Sequence, residues 1–247
     1  IFLAVASDDK TDTSVTLRCP PGVAVTHIIL TYLEHDVPHE KRVDLSDTDI
    51  AAGEVLLDEL IESTTYTAAI YSDDNKRGEV SFRTNASIPQ GGVTYTLTGG
   101  EDLVEYLAAI TASEVTIIFP AGSSYEPQWL NESSETQYTL PLPDAITSLT
   151  FWGQEGATQA SILMKNMKLS AGLTTLKFGK MDVKGKDGTA DYIVNESVTL
   201  TLSEVTFDGC TLSNFRGVFR MQKDENRSYI SKLTFTNSIV HTLAGFG

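Results

Sequence analysis

Short runs of alternating apolar and polar residues, rich in Val, Ile, Thr and Tyr, recur between turn-forming residues from the start of the chain. A period of two residues is typical of half-buried β-strands, and helical periodicity is nearly absent. The pattern therefore predicts an all-β protein. Its first part should contain six strands, at residues 14–19, 26–33, 41–45, 54–57, 65–72 and 79–83, with a polar hairpin loop at 73–78.

The second half of the chain repeats a five-residue pattern of aliphatic, any, Phe, any and turn residue. The repeats start 27, 29 and 28 residues apart. One winding of a solenoid, built from three short strands and three turns, uses a few tens of residues and stacks like above like. This spacing favours a right-handed parallel β-helix over an ordinary antiparallel sandwich. Four side chains would then form one internal ladder: Phe151, Phe178, Phe207 and Phe235.

The last position of each repeat predicts a tight turn. Three of its four residues tolerate a left-handed backbone, the exception being a lysine; the four are Gly153, Lys180, Gly209 and Asn237.

A small, polar segment at residues 85–92 separates the two patterns and contains Pro89. It predicts a boundary between a domain at 1–87 and a domain at 88–247. Apolar positions 103, 104, 107 and 110 predict an amphipathic helix at 101–110, which would cap the first winding and cover its open edge. The last repeat starts at Leu233 without room for a completed winding, so we expect the natural protein to continue.

The first domain resembles a fibronectin type III domain. Leu57 to Leu60, followed by 64–70, is similar to the corner between strands E and F of that family, where Tyr66 would fold back onto the corner backbone. Residues 14–21 and 78–84 are similar to its strands B and G. Cys19 stands where the family usually has a core tryptophan, so its neighbours must fill the remaining volume.

The second domain resembles pectate-lyase-like β-helices, because a helix and a strand ending in Pro-x-Gly precede the repeated short strands. Together the two domains resemble a group of gut-bacterial surface proteins. That resemblance implies export, a lipid anchor outside this chain, and work on dietary or host glycans.

Charge excludes one class of partner. The net charge of −15 argues against nucleic acid, because the phosphate backbone would be repelled. No apolar run approaches the ~20 residues that span a bilayer, so no membrane insertion is expected. Residues 165–247 nevertheless carry 11 bases against 8 acids. Their basic residues form either a solvated face or a contact for an acidic glycan, and the solvated face is the favoured interpretation.

Candidate glycan contacts lie at four positions. Arg216, Arg220 and Lys223 crowd one segment, and arginine binds carboxylates in a bidentate manner, which suits an acidic sugar. A polar external loop is the favoured alternative. Trp152 could stack on a sugar ring or cover the winding below it.

Catalytic and metal motifs are missing from the sequence. The four histidines, His27, His35, His39 and His241, lack ligand spacing. Asp182, Asp187 and Asp191 could hold calcium, but the intervening lysines favour a plain loop, so no cofactor is predicted. The two cysteines are expected to be small buried hydrophobic residues.

These observations predict a monomeric protein, extracellular or on the bacterial outer surface, that binds a polysaccharide and acts as a scaffold. The first domain would serve as a spacer. The alternatives are a polysaccharide lyase or hydrolase acting on acidic glycans, for which no catalytic residue can be named, and a structural adhesin.

Overall fold

Strands dominate the computed structural model, which describes residues 2–6, 9–34, 36–89, 91–223 and 225–243. Over these residues only two helices, each six residues long, interrupt the strands, so the fold is all-β as predicted. The chain divides into two compact units, Ile1–Ile88 and Pro89–Gly247. His35 and the last four residues, 244–247, lie outside the described residues.

The first unit consists of two antiparallel sheets with one apolar core. One sheet pairs β1 (Val15–Arg18) with β4 (Glu54–Leu57). The other has the order β3-β2-β5-β6, formed by β2 (His27–Glu34), β3 (Val37–Asp44), β5 (Thr65–Ser72) and β6 (Asn75–Arg83). Alternate residues of the strands, including Val15, Ile28 and Leu30, are buried in the core.

The tyrosine corner is confirmed. The backbone N–H of Ile61 donates a hydrogen bond of 2.8 Å to the hydroxyl of Tyr66, which is only 2% exposed. The Tyr66 ring lies between the rings of Tyr32 and Phe82, at centroid distances of 4.9 and 5.4 Å. Cys19 is half-buried against the same core and is a free thiol. Tyr66 therefore fixes the corner from within the core.

Three predictions for this unit were wrong in detail. The strand expected at 41–45 begins four residues earlier, as β3 (Val37–Asp44). Strand β6 begins at Asn75, so the hairpin turn is only Asp73 and Asp74, with Asp73 in the left-handed region at φ 50°. The start of β6 is exposed and charged, so it lacks the apolar alternation that marks a strand. Helix α1 (Asp47–Ala52) was also missed, because it is held by a capping box from Ser46 and buries no residue.

The second unit contains three sheets of parallel strands, which the chain visits in turn. The largest has six strands: β7 (Val93–Thr96), β8 (Glu114–Phe119), β13 (Ser148–Gly153), β16 (Thr175–Gly179), β20 (Glu204–Asp208) and β24 (Leu233–Thr236). The next has five: β9 (Ser124–Tyr125), β14 (Ala160–Met164), β17 (Met181–Gly185), β21 (Thr211–Ser213) and β25 (Ile239–His241).

The third sheet has four strands: β12 (Thr139–Pro141), β15 (Asn166–Lys168), β18 (Tyr192–Glu196) and β22 (Gly217–Met221). Two further pairs complete the unit. Strands β10 (Trp129–Leu130) and β11 (Thr136–Gln137) are antiparallel, and β19 (Leu200–Leu202) and β23 (Ser228–Ile230) are parallel.

The predicted phenylalanine ladder is confirmed. Phe151 pairs with Phe178, Phe178 with Phe207, and Phe207 with Phe235 in the register of the six-stranded sheet. Successive ring centroids are 5.4, 5.3 and 5.1 Å apart. The first three rings are fully buried, so they are part of the second unit's core.

The prediction of a left-handed turn after each ladder strand was wrong at one position, Gly153. Lys180, Gly209 and Asn237 adopt positive φ values of 56°, 62° and 50°, whereas Gly153 does not. Gly153 is required for space instead, because an added Cβ would lie 2.3 Å from the carbonyl oxygen of Lys180 in the next winding.

The predicted helix is present but shorter, as α2 (Leu103–Ala108). Asp102 is its N-cap, accepting from the N–H groups of Val104 and Glu105. Leu103 and Leu107 are buried in the same core as the ladder.

Candidate functional site

The clearest grouping of predicted contact residues surrounds Tyr192, at the start of β18. The guanidinium carbons of Arg216 and Arg220 lie 6.0 and 5.7 Å from the centroid of its ring. Tyr192 pairs with Gly217, the first residue of β22, and an added Cβ on Gly217 would come within 3.1 Å of the ring. The absence of a side chain at Gly217 therefore makes room for the Tyr192 ring beside β22. We call Tyr192, Arg216 and Arg220 the Tyr192 cluster.

Both arginines in the Tyr192 cluster are exposed and have no acidic partner among the described residues. Of the described residues, none places a carboxylate oxygen within 4.0 Å of either guanidinium. Two acids lie at the ends of β18: Asp191 directly precedes it and Glu196 is its last residue. Each is only 3% exposed. The Asp191 carboxylate accepts from the N–H of Asp187, and that of Glu196 accepts from the N–H of Leu169. The positive charge therefore faces solvent while these acids are buried.

Burial also shifts the pKa values of Asp191 and Glu196. Removal from water raises the pKa of Asp191 and that of Glu196, more than their backbone hydrogen bonds lower them. Because these two acids are buried and both guanidinium groups are exposed, the Tyr192 cluster is a locally basic surface on an acidic chain.

Two lysines extend the basic surface. Lys223 is exposed two residues beyond the end of β22 and forms no ion pair with the described residues. Lys168, the last residue of β15, is also exposed and directly follows Met167, which pairs with Val194 of β18. Sequence reasoning included Lys223 but missed Lys168 and Tyr192. Tyr192 stands about one winding before Gly217 in the sequence and pairs with it. That glycine was the feature of the sequence that could have indicated space for the Tyr192 ring.

Trp152 does not belong to this site. It lies on β13, in the six-stranded sheet, and is only 7% exposed. Its ring covers Gly179 in the next winding, where an added Cβ would be 2.0 Å from a ring carbon. Of its two suggested roles, covering the adjacent winding fits this geometry, because so buried a ring offers no face to a sugar.

The second tryptophan, Trp129, is 37% exposed. Its indole N–H donates to the carbonyl oxygen of Thr139 at 2.9 Å. Thr139 begins β12, which is an edge strand of the four-stranded sheet. Trp129 therefore satisfies an edge carbonyl that would otherwise have no strand partner.

The three aspartates considered for calcium do not share a site. Asp182 pairs with Lys184 at 2.6 Å, Asp187 accepts from Thr189, and Asp191 is buried. No group of three His, Cys, Asp or Glu residues within the described ranges could hold a metal ion. Where the structure describes the chain, no helix is long and apolar enough to cross a membrane.

Comparisons with known proteins identify no family for this chain. No protein-family model matches this chain, and no curated protein matches it. Among solved structures, the solution structure of the fn3 domain of human collagen alpha-1(XX) chain is similar to a part of it. That match has 22% sequence identity, covers 36% of this chain and 84% of the collagen domain's chain, and has a TM-score of 0.25.

Proposed function

We propose that the second unit is a right-handed parallel β-helix and the first a fibronectin type III-like sandwich. The β-helix is supported by three parallel sheets visited in turn and by a ladder of like residues in register. Right-handed connections are the rule where parallel strands follow one another in a sheet. The sandwich is supported by two antiparallel sheets and by the tyrosine corner at Tyr66.

We propose further that the protein binds an acidic polysaccharide and acts as a scaffold, without catalysis, through the Tyr192 cluster. The observation that carries this proposal is that two exposed guanidinium groups lie within about 6 Å of the centroid of one tyrosine ring and have no carboxylate partner among the described residues. This arrangement occurs in a chain of net charge −15, where an exposed arginine has many acids to pair with.

The chemistry of the cluster fits a chain of uronic acids. A guanidinium group donates two parallel hydrogen bonds to a carboxylate. Arg216 and Arg220 could therefore each bind one carboxylate of the polysaccharide. The ring of Tyr192 offers an apolar surface for the C–H groups of a pyranose, with a hydroxyl at its edge. We place such a protein, as a monomer, outside the cell on the surface of a gut bacterium, as the resemblance of its two domains suggests.

Calorimetric titration with polygalacturonate tests the proposal. Each charge-assisted hydrogen bond contributes about 1.5–3 kcal/mol, so Arg216→Ala and Arg220→Ala should each weaken binding by about ten- to a hundredfold. Arg77→Ala removes an exposed arginine from the first unit and should leave binding unchanged. Absence of binding to polygalacturonate, alginate and heparin, or equal affinity for all three variants, would refute the proposal.

The same mixtures distinguish the alternatives. A lyase acting on uronates would release unsaturated products that absorb ultraviolet light, and their appearance would overturn the non-catalytic assignment. Binding to protein or to cells, without affinity for any sugar, would instead indicate an adhesin.

A further inference from the structure

One row of outward side chains crosses the four-stranded sheet of the second unit. In that sheet Leu140 pairs with Met167, Met167 with Val194, and Val194 with Phe219. The first three of these residues are fully buried and Phe219 packs against the same core, so the residue that follows each of the four on its strand faces outward. We call these four outward residues the Lys168 row: Pro141, Lys168, Asn195 and Arg220.

The two cations of the Lys168 row are available to a ligand. Lys168 and Arg220 are both exposed, and neither forms an ion pair with a described residue. The guanidinium carbon of Arg220 lies 5.7 Å from the centroid of the Tyr192 ring, so the row joins the Tyr192 cluster at this residue. Glu196, the acid next to Asn195, is buried and accepts from the N–H of Leu169, so it does not compete for the two cations at the surface.

The other two positions of the row are neutral. Asn195 lies between Lys168 and Arg220 and is half-buried. Its side-chain nitrogen makes no hydrogen bond with a described residue, and its side-chain oxygen is enclosed without a donor. Pro141, which pairs with Lys168, offers only apolar surface. From the first strand of the sheet to the last, the row therefore runs neutral, cationic, neutral, cationic.

The spacing of the row sets the spacing of the charges. Neighbouring strands lie ~4.8 Å apart, so the backbone positions of Lys168 and Arg220 are roughly 9.6 Å apart, with Asn195 midway. One pyranose residue of an extended chain is about as long as one strand spacing. A polysaccharide that lies across the windings would therefore place successive sugars over successive positions of the row, and every second sugar over a cation.

We infer that the acidic polysaccharide of the proposed function, on which this inference rests, is one in which a uronic acid alternates with a neutral sugar. A carboxylate over Lys168 or Arg220 gains a charge-assisted pair. A carboxylate over Asn195 finds an amide and no cation, so less of its desolvation cost is offset, and the excess charge is repelled by a chain of net charge −15. A neutral sugar at that position can accept a hydrogen bond from the amide N–H without that cost.

Three octasaccharides of equal length test the inference by calorimetric titration of the full chain at one ionic strength. Those of hyaluronan and of unsulfated chondroitin alternate a glucuronate with an N-acetylated neutral sugar. The galacturonate octasaccharide carries a carboxylate on every residue. At least one of the two alternating ligands should bind about tenfold more tightly than the galacturonate, although each has half its charge. A simple attraction between charges would give the opposite order.

Asn195→Lys puts a cation at the neutral position between Lys168 and Arg220. It should strengthen binding of the galacturonate octasaccharide about tenfold and change binding of the alternating ligand by less than about threefold. Thr201→Lys is the matched control, because it adds the same charge at an exposed residue of β19 in the same unit and should leave the order of the ligands unchanged. Thermal melting checks that each variant stays folded. If Asn195→Lys unfolds, Lys168→Ala replaces it and should weaken binding of the alternating ligand about tenfold.

The outcomes separate this inference from the proposed function. If the galacturonate octasaccharide binds the native chain at least as tightly as both alternating ligands, the inference is overturned while the proposed function stands. If Asn195→Lys has the same effect as Thr201→Lys, or Lys168→Ala used in its place has no effect, the row does not set the preference and the inference is overturned as well. If none of the three octasaccharides binds, the inference and the proposed function both fail.

Discussion

The rings of Phe207 and Phe235 stack at 5.1 Å with an interplanar angle of 10°, yet Phe207 is fully buried and Phe235 is 43% exposed. The two residues occupy the same position in consecutive windings of the second unit. Because residue type and register position are the same, a comparison of the two isolates the effect of burial.

Phe207→Ala should lower the free energy of unfolding of the second unit by about 3–5 kcal/mol, because it opens a cavity between packed rings. Phe235→Ala should cost about half as much or less, because part of that ring is already in contact with water. Urea unfolding followed by hydrogen exchange, which resolves the two units, measures both. Equal losses for the two variants would contradict the difference in burial between the two rings.

The ladder was predictable because it depends on recurrence of one residue type at one spacing. The Tyr192 cluster was not, because the approach of Arg216 and Arg220 to the ring depends on an unoccupied position at Gly217. Trp152 shows the same limitation. The sequence left open whether Trp152 contacts a sugar or covers a winding, because its burial follows from the missing side chain at Gly179 in the neighbouring winding.

A substitution at Gly153 tests how closely successive windings pack against each other. Gly153→Ala would place a methyl group 2.3 Å from the Lys180 carbonyl oxygen, a backbone atom that cannot move alone. We expect a loss of at least about 2 kcal/mol in the free energy of unfolding. Gly172→Ala is the control, since the nearest atom there is Ser170 Oγ at 3.9 Å, and its effect should stay within about 0.5 kcal/mol. A tolerated Gly153→Ala would show that the windings can separate locally.

Tyr66→Phe tests the corner of the first unit. The substitution keeps the buried ring but leaves the N–H of Ile61 without its acceptor, at a cost of about 1–3 kcal/mol. Tyr71→Phe is the matched control, because the Tyr71 hydroxyl makes no hydrogen bond with the described residues, and it should change stability by less than about 0.5 kcal/mol. Thermal unfolding of the two variants under one condition compares them. Similar melting temperatures would mean that the corner hydrogen bond contributes nothing net.

Two of the glutamates in the second unit, Glu196 and Glu204, should give opposite pH dependences. Burial raises the pKa of Glu196 above its ordinary 4.5, so the folded state holds its proton more tightly than the unfolded chain does. Its favourable contribution is therefore complete below pH 4.5 and is lost as the pH rises through the higher folded pKa. Glu196→Gln cannot titrate. The variant's stability relative to the native chain should consequently improve as the pH rises over that range.

Glu204, in the same unit, should show the opposite dependence of stability on pH. Lys177 at 2.7 Å and Lys232 at 3.1 Å lower the pKa of its carboxyl group. Its stabilising contribution is present above pH 4.5 and is lost as the pH falls through the lower folded pKa, so Glu204→Gln should be less stable than the native chain at neutral pH and approach it in acid. Urea midpoints of the second unit between pH 3 and 8 measure both differences. Parallel pH profiles for the two variants would contradict the assignment of one glutamate as buried and the other as ion-paired.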